Sequence, residues 1–134
     1  MTLHYLGRGA EARAQLDEVD DRYRHGCDFT SVKAIFLALD GDAKAAEDMI
    51  QLALTDGQNL GHFHHVTNNV AAAYAVMNDK ERAMEWLERT ANDGFPCHPW
   101  FERDPCLENL RGDDRFEAFL SRLENEWPVP EFDA

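Results

Sequence analysis

The stretch that decides the fold is Gly41–Gly57, GDAKAAEDMIQLALTDG, which recurs with the same plan at Asn78–Gly94, NDKERAMEWLERTANDG. Four residues correspond across an interval of 37: Asp42, Ala46, Asp56 and Gly57 become Asp79, Ala83, Asp93 and Gly94. A partial copy comes earlier, because Gly7 precedes Gly41 by 34 residues and Ala12 precedes Ala46 by the same distance. The sequence therefore predicts a chain built from a repeated unit.

Each copy has the periodicity of an amphipathic helix. The first complete copy places apolar residues at i, i+3, i+4, i+7 and i+8, namely Ala46, Met49, Ile50, Ala53 and Leu54. The second copy has Ala83, Trp86, Leu87 and Ala91 on this stripe together with Thr90, and the partial copy has Ala12, Leu16 and Val19. Asp42 is predicted to cap the start of the first complete copy, and Gly57 to close its end in the left-handed conformation.

A second helix is predicted before each complete copy. Its apolar face is Phe29, Val32, Ile35, Phe36 and Leu39 in one unit, and Phe63, Val66, Val70, Ala73, Tyr74 and Met77 in the next. The connecting turns, DGD and ND, are so short that the two helices of a unit must run antiparallel. A helical hairpin of about 34 residues cannot bury its apolar face alone, so it must stack on a neighbour.

The partial copy lacks nearly all of its first helix, which would leave apolar surface uncovered at the N-terminal end. Three explanations are open at this point. Residues Met1–Leu6 form a short stub, another chain covers the gap, or the sequence is the end piece of a longer protein.

Composition limits the class of protein. A chain of 134 residues, 44% hydrophobic and 29% charged, predicts one globular domain with a real core. The net charge of −13 disfavours nucleic acid and anionic membranes as partners and is consistent with solubility or with a basic partner. The chain shows no apolar run long enough for a membrane span and no secretory signal, and its three cysteines lack framework spacing, so we expect a cytoplasmic, reduced protein.

The arrangement resembles the tetratricopeptide repeat over roughly residues 1–94. The family's small residue in the second helix corresponds to Ala12, Ala46 and Ala83, and its turn glycine to Gly7, Gly41 and, in the third copy, Asn78. Its first-helix pair of a small and a large residue corresponds to Ala34 with Leu37 and to Ala71 with Tyr74. Thr30 and Lys33 depart from the family, which prefers large apolar residues there.

The resemblance implies an all-α fold, a short α-α superhelix closed by a pair of capping helices. Its predicted parts are a truncated first repeat (1–26), a second repeat (27–60), a third repeat (64–97) and a C-terminal cap (98–127).

The segment after Gly94 has a different composition. Pro96, Pro99 and Pro105 predict an ordered loop over Phe95–Arg103, with Asp104-Pro105 opening a short helix to about Leu110. Asp113 or Asp114 is expected to cap a last helix, whose apolar face is Phe116, Phe119, Leu120 and Leu123 and which Trp127-Pro128 ends. We expect Trp100, Phe101 and Phe116 to plug the open end of the last repeat.

The run DPCLENLRGDDRFEAFL resembles the terminal segment of bacterial repeat arrays that follow signalling domains. The matching residues are Trp100, Asp104, Pro105, Leu107, Leu110, Arg111, Asp113, Arg115 and Phe116. This second resemblance implies the tail of a signalling system or an accessory to one, although no cyclase, kinase or DNA-binding domain is present in the chain.

Histidine and cysteine residues raise the question of a metal site. His62, His64 and His65 precede Cys97, His98 and Cys106, but only His62 and His65 have a helical spacing, at a loop-to-helix boundary. We favour polar loop and helix-start residues over ligands, expect the cysteines to be small buried apolar residues, and predict no metal and no cofactor.

Catalytic motifs are not found in the sequence. There is no Gly-x-Ser-x-Gly elbow, and the only serines are Ser31 and Ser121. The GRG at Gly7–Gly9 lacks a Lys-Ser/Thr signature, and the acidic cluster around Asp17–Asp21 is typical of a solvated helix face. We predict no catalytic residue and no enzyme.

A protein-interaction or scaffold module is the function that remains. In the family, exposed residues of the first helices line a concave face, and the resemblance places eight residues there: Asp28, Ser31, Ile35, Ala38, His65, Asn68, Ala72 and Ala75. None is basic, so the acidic C-termini that some family members bind are disfavoured as ligands. The alternatives are a self-associating structural protein that pairs through its incomplete N-terminal repeat, and a metal site at His62, His64, His65 and Cys97.

Overall fold

The structure is a computed structural model that describes residues 1–56 and 62–128, and these residues contain helices and turns but no strand. The all-α prediction is therefore confirmed for the described residues. The α-helices are α1 (Thr2–Tyr5), α2 (Gly9–Asp17), α3 (Cys27–Leu39), α4 (Ala43–Asp56), α5 (Phe63–Val76), α6 (Lys80–Asn92), α7 (His98–Arg103) and α8 (Asp114–Glu126). Two 3₁₀ helices lie at Asp21–Tyr23 and Pro105–Leu110.

The turn that the repeat predicted is the same at all three hairpins. Gly7, Gly41 and Asn78 have φ of 74°, 81° and 60°, in the left-handed region. At Gly41, its N–H donates to the Ala38 carbonyl and the next N–H to the Leu37 carbonyl, and the turns at Gly7 and Asn78 have the same pair of bonds. This pattern closes a helix by satisfying its last carbonyls, so each first helix ends where the sequence predicted.

An aspartate starts each second helix in the complete hairpins. The Asp42 carboxylate accepts from the Ala45 N–H at 3.0 Å, and Asp79 accepts from the Arg82 N–H at 3.1 Å. Both caps satisfy an N–H that has no partner inside its helix. The predicted closing residue of the first copy, Gly57, lies outside the described residues.

The core forms where the hairpins meet. Helix α3 packs on α4, α5 packs on α6, and α3 packs on α5, so the two hairpins share one apolar interior. Ala46 and Ala83 are both fully buried, as are the larger side chains of Ile50 and Leu87 four residues later. Their burial confirms that the repeated alanine lies on the core-facing stripe of each second helix.

The first hairpin is reduced but present. Helix α1 is a single turn, and it contacts α2 through the same left-handed turn that joins α3 to α4. Its His4 ring meets the Phe36 ring edge-on, with 5.6 Å between centroids. The stub alternative for Met1–Leu6 therefore describes this end, and α1 covers part of α3.

The C-terminal cap corrects one expectation. Phe95–Arg103 was expected to be a loop, but His98–Arg103 form α7. Pro99 lies in the first turn of that helix, where proline loses no intrahelical hydrogen bond and its fixed φ suits the helix. Three prolines in a short stretch therefore did not prevent one helical turn and a half.

The rest of the cap follows the prediction. Asp104 accepts from the Cys106 N–H and opens the 3₁₀ helix, and Asp113, not Asp114, caps α8. The predicted apolar face of α8 is buried, and Phe101 and Phe116 are enclosed. Trp100 is not a plug, because 38% of its surface is exposed.

Across the described residues, none of the helices combines the length and the apolar character that a membrane crossing requires.

Candidate functional site

The predicted concave face is not an open surface. Of its eight residues, Asp28 and His65 are exposed, and the other six are buried: Ser31, Ile35, Ala38, Asn68, Ala72 and Ala75. The expectation that those six side chains are available for contact is wrong. Whether any partner binds through the two exposed residues stays a prediction.

Packing between helices explains the burial. Asn69 Nδ2 donates to Ser31 Oγ at 3.1 Å, which fixes α5 against α3. The 3₁₀ helix of the cap lies on α5, where Asn109 Nδ2 donates to the Ala75 carbonyl at 3.0 Å. The cap therefore covers part of α5, and the packing of α3 on α5 buries the facing side chains of both first helices.

The N-terminal stub also reaches the cap. Tyr5 Oη donates to Asp104 Oδ2 at 3.3 Å, and the Tyr5 ring meets Trp100 edge-on at 5.7 Å. Burial raises the pKa of Asp104 above its ordinary range, although hydrogen bonds from Cys106 N–H and Tyr5 oppose the shift. Burial also raises the pKa of the Tyr5 phenol, and the nearby Asp104 carboxyl adds to that shift. A partly buried hydrogen bond thus joins α1 to the C-terminal cap.

Three histidines meet at the start of α5. His62, His64 and His65 each offer a ring nitrogen, and these atoms all lie within 4.8 Å of one another. The His64 and His65 ring centroids are 4.4 Å apart, and His62 lies 5.6 and 6.0 Å from them. From the sequence, only His62 and His65 have a helical spacing. In the structure, the chain enters α5 in a way that also brings a ring nitrogen of His64 close to those of His62 and His65.

Phe95 holds this histidine cluster (His62, His64 and His65) against the end of α6. The His64 ring stacks on Phe95 at 5.7 Å with an interplanar angle of 5°, and His65 meets the same ring edge-on. Behind it, the buried Thr67 hydroxyl donates to the His64 carbonyl at 3.1 Å and lies 2.8 Å from the Thr90 hydroxyl of α6. The first turn of α5 is therefore fixed on two sides.

The electrostatics around His64 favour its neutral imidazole form. Burial lowers the pKa of His64. The neighbouring His65 and His62 lower this pKa further, whereas the Asp93 carboxylate raises it. The start of a helix also carries partial positive charge, which disfavours a protonated side chain. A neutral imidazole has a free nitrogen lone pair, so His64 can accept a hydrogen bond or ligate a metal.

The other histidine and cysteine residues that the sequence singled out do not join the cluster. Among the described residues, the groups that converge are the three histidines, without Cys97, His98 or Cys106. Cys106 is buried, and burial together with the Asp104 carboxyl raises the pKa of its thiol to about 12. Its thiol stays protonated near neutrality, which suits the predicted role of a small apolar residue.

Sequence reasoning missed an aromatic and proline surface beside the histidine cluster. A groove of 530 Å³ is lined by Gly94, Phe95, Pro96, Cys97, His98, Pro99, Glu126, Trp127 and Pro128. A second cleft of 460 Å³ shares Pro99 and is lined by Tyr5, Trp100, Arg103, Asp104 and Pro105. Trp127 is 60% exposed, which is unusual for so large an apolar side chain. We call the exposed Trp100 and Trp127, together with the partly buried Phe95, Pro96 and Pro99, the aromatic–proline surface.

Only a weak sequence signal could have found this surface. Tryptophan follows proline at Trp100 and precedes it at Trp127, and both dipeptides stand at helix boundaries. A helix boundary leaves such a side chain without a fixed face to pack on. The two tryptophans are 27 residues apart in the sequence, so no local sequence pattern could predict that they line adjoining clefts.

Comparison with known proteins gives no relative. No protein-family model matches the chain, and no curated protein or solved structure matches it significantly. The resemblance to the tetratricopeptide repeat therefore stays a prediction that depends on the repeated residues and their spacing.

Proposed function

We propose that the chain is a non-catalytic protein-interaction module of the tetratricopeptide type, which binds an extended segment of a partner protein on the aromatic–proline surface. The observation that carries the proposal is the exposed Trp127 beside the 530 Å³ groove. Tryptophan is enriched at binding surfaces because its ring supplies a large contact area with few rotatable bonds.

The shape of the surface supports an extended peptide as the occupant. Two adjoining clefts share Pro99, so a bound segment can place one side chain in each. The proline and aromatic lining suits apolar or aromatic anchor side chains. We place the binding site here and not on the predicted concave face, since six of the eight residues predicted there are buried.

Charge supports a basic partner. The chain carries a net charge of −13, and Glu126 lies at the wall of the larger groove. The negative charge of the protein would attract a segment with lysine or arginine beside its apolar anchor, and it would repel anionic competitors. We therefore propose a cationic segment with at least one large apolar residue, borne by a protein that belongs to a signalling or assembly system.

A random peptide library displayed on phage, panned against the full chain, tests the proposal. We expect enrichment of peptides that combine lysine or arginine with aromatic or branched apolar residues, and weaker binding of a synthetic consensus peptide as salt rises. Trp100→Ala and Trp127→Ala should each weaken that peptide by about tenfold or more, the usual loss at a binding hot spot.

Leu52→Ala is the matched control. Leu52 is also an exposed large apolar residue, but it lies on α4 and lines neither cleft. Binding should survive this change. Enrichment of the same peptides by the Trp100→Ala/Trp127→Ala double variant would contradict the proposal.

Self-association is the second candidate, and the N-terminal end favours it. A cleft of 320 Å³ is lined by residues of α1, α2 and Phe36, among them the half-buried Leu16 and Val19 of the incomplete repeat. Leu6 and Tyr23 nearby in sequence are 66% and 64% exposed. A second copy that packed on this end would cover the surface that a complete first helix would otherwise cover.

Light scattering distinguishes this candidate from the first. A dimer at micromolar concentration that Leu16→Glu converts to a folded monomer would support self-association. A monomeric wild-type chain under the same conditions would rule it out and leave the peptide-binding proposal unaffected.

A further inference from the structure

The histidine cluster has the ligand chemistry of a metal site. Three imidazole nitrogens within 4.8 Å of one another are an unusual density of nitrogen donors, and two of the three side chains are exposed to arriving ions. We propose that His62, His64 and His65 bind one borderline-soft divalent ion of the zinc class, with the remaining coordination positions left to water. The inference does not depend on the proposed peptide binding.

The donor set selects the class of ion. Imidazole suits zinc, nickel and copper, whereas calcium and magnesium require oxygen ligands. Three histidines with an open fourth position form a known zinc arrangement, in which the ion lies about 2.0–2.1 Å from each nitrogen. Tetrahedral ligands at that distance are about 3.3 Å apart. The nitrogens must therefore approach by at most about 1.5 Å, which side-chain rotation can supply.

The surroundings fit this contraction. His62 and His65 are exposed, and in the described residues the His62 side chain makes no capping hydrogen bond at the start of α5, so both rings can turn; for His65 this gives up its edge contact with Phe95. The stacked Phe95 ring holds His64 in place as the fixed member of the set. One fixed ligand and two adjustable ones can close around an ion without moving the helix.

Charge near the cluster offsets the unfavourable start of a helix. Partial positive charge at the beginning of α5 opposes a cation there. Asp93 acts electrostatically on His64, and Arg89 is paired with Asp93 at 3.4 Å. A bound ion would therefore meet a local environment close to neutral, within a protein of strongly negative net charge.

Isothermal titration of the full chain with zinc chloride at neutral pH tests the inference. We expect one ion per chain, and His62→Ala, His64→Ala and His65→Ala should each weaken binding by about tenfold or more. His25→Ala is the matched control, because His25 is exposed and precedes α3 as His62 precedes α5. Its affinity should equal that of the wild type.

Three results would overturn the inference: no heat of binding, a dissociation constant weaker than about 1 mM, or equal loss in His25→Ala. Because His64→Ala removes the contact with Phe95 and can disturb folding, the exposed pair His62→Gln/His65→Gln provides a second variant, with circular dichroism as the check.

Nitrogen-edited NMR of the imidazoles gives an independent readout. Zinc should shift the signals of His62, His64 and His65, and a shift confined to His4, His25 or His98 would place the ion elsewhere and contradict the proposal.

Discussion

The two complete hairpins, α3–α4 and α5–α6, are the same where they are buried and different where they are exposed. Moving 37 residues along the chain takes Thr30 to Thr67, Ala34 to Ala71, Ala46 to Ala83 and Ile50 to Leu87, and all eight are buried. The same step takes His25, Cys27 and Asp28 to His62, His64 and His65. The hairpins therefore share a core, while the start of the first helix carries one histidine in one hairpin and three in the other.

This difference separates two kinds of constraint. A buried position in a stacked hairpin must match the volume of its neighbours, since interiors are close-packed. A position at the start of a helix has only to avoid disturbing the first turn, and it can carry side chains with chemistry of their own. In this chain the nitrogen donors and the exposed tryptophans lie at helix boundaries, outside the repeated core.

The largest effect is expected in the repeated core itself. Ile50→Ala and Leu87→Ala remove equivalent, fully buried side chains, so each should lower the free energy of unfolding by about 2–5 kcal/mol. Urea unfolding measures both, and Leu52→Ala, at an exposed position of α4, should change it by less than about 0.5 kcal/mol. If one of the two core variants cost no more than the control, the hairpins would not be equivalent.

The next effect concerns the cap, which covers the second hairpin. Asp104→Ala should cost about 1–2 kcal/mol because it removes the N-cap of the 3₁₀ helix. Asp104→Asn keeps an acceptor for that N–H and should cost less than Asp104→Ala.

The pH dependence of the same site has a defined sign. The folded-state pKa of Asp104 is raised above 3.8, so its contribution to stability is fully present below that value and is lost as pH rises through the raised pKa. Asp104→Asn should therefore gain stability relative to the wild type as pH increases from about 4 toward neutrality. Thermal unfolding across this range measures the difference, and a constant gap between the two proteins would show that Asp104 does not ionise with this cost.

A smaller effect separates the two turns. Gly41 and Asn78 both have positive φ, and a Cβ at Gly41 would meet no atom within 4 Å, so Gly41→Ala carries a backbone cost alone. That cost should be about 1–2 kcal/mol. Asn78→Gly should be neutral or stabilising, because the native residue already bears part of the same cost. A tolerated Gly41→Ala would mean that the two turns are not closed by the same motif.

The smallest effects belong to surface ion pairs, and they rank by whether they join the hairpins. Arg82 of α6 bonds Glu47 of α4 at 2.8 Å and lies over the Tyr74 ring at 4.2 Å. Lys44 meets Asp48 within α4 at 3.3 Å. Arg82→Met should cost about 0.5–1 kcal/mol and Lys44→Met less than about 0.5 kcal/mol. Chemical denaturation at low and high salt measures both costs. Equal costs for the two variants would show that contacts between the hairpins add nothing to stability.

Local rules predicted the repeated part of the fold from sequence. Helix periodicity, aspartate caps and left-handed turns act within a few residues, so Ala46, Asp79 and Gly41 could each be assigned their roles directly. The helix at His98–Arg103 was missed because proline was treated as a helix breaker and not as a first-turn residue. The burial of Ile35 was missed because it depends on the packing of α3 on α5, and that of Ala75 because it depends on a cap that is distant in sequence.

The candidate site was predictable only in part, for a related reason. The spacing of His62 and His65 indicated a shared side of one helical turn, but the position of His64 depends on how the chain enters α5 and on the Phe95 ring beneath it. Trp100 and Trp127 are brought to one end of the molecule by packing between α7 and α8. A sequence pattern that spans only a few residues cannot predict contacts between helices that are distant in sequence.

Hydrogen exchange in the Ile50→Ala variant tests most directly the claim that the hairpins depend on each other for burial. Helix α3 packs on α5, so weakening the first hairpin should lower the protection of amides in α5 and α6 together with those in α3 and α4. Loss of protection confined to α3 and α4, with α5 and α6 unchanged, would contradict it, because the second hairpin and its cap would then be stable alone.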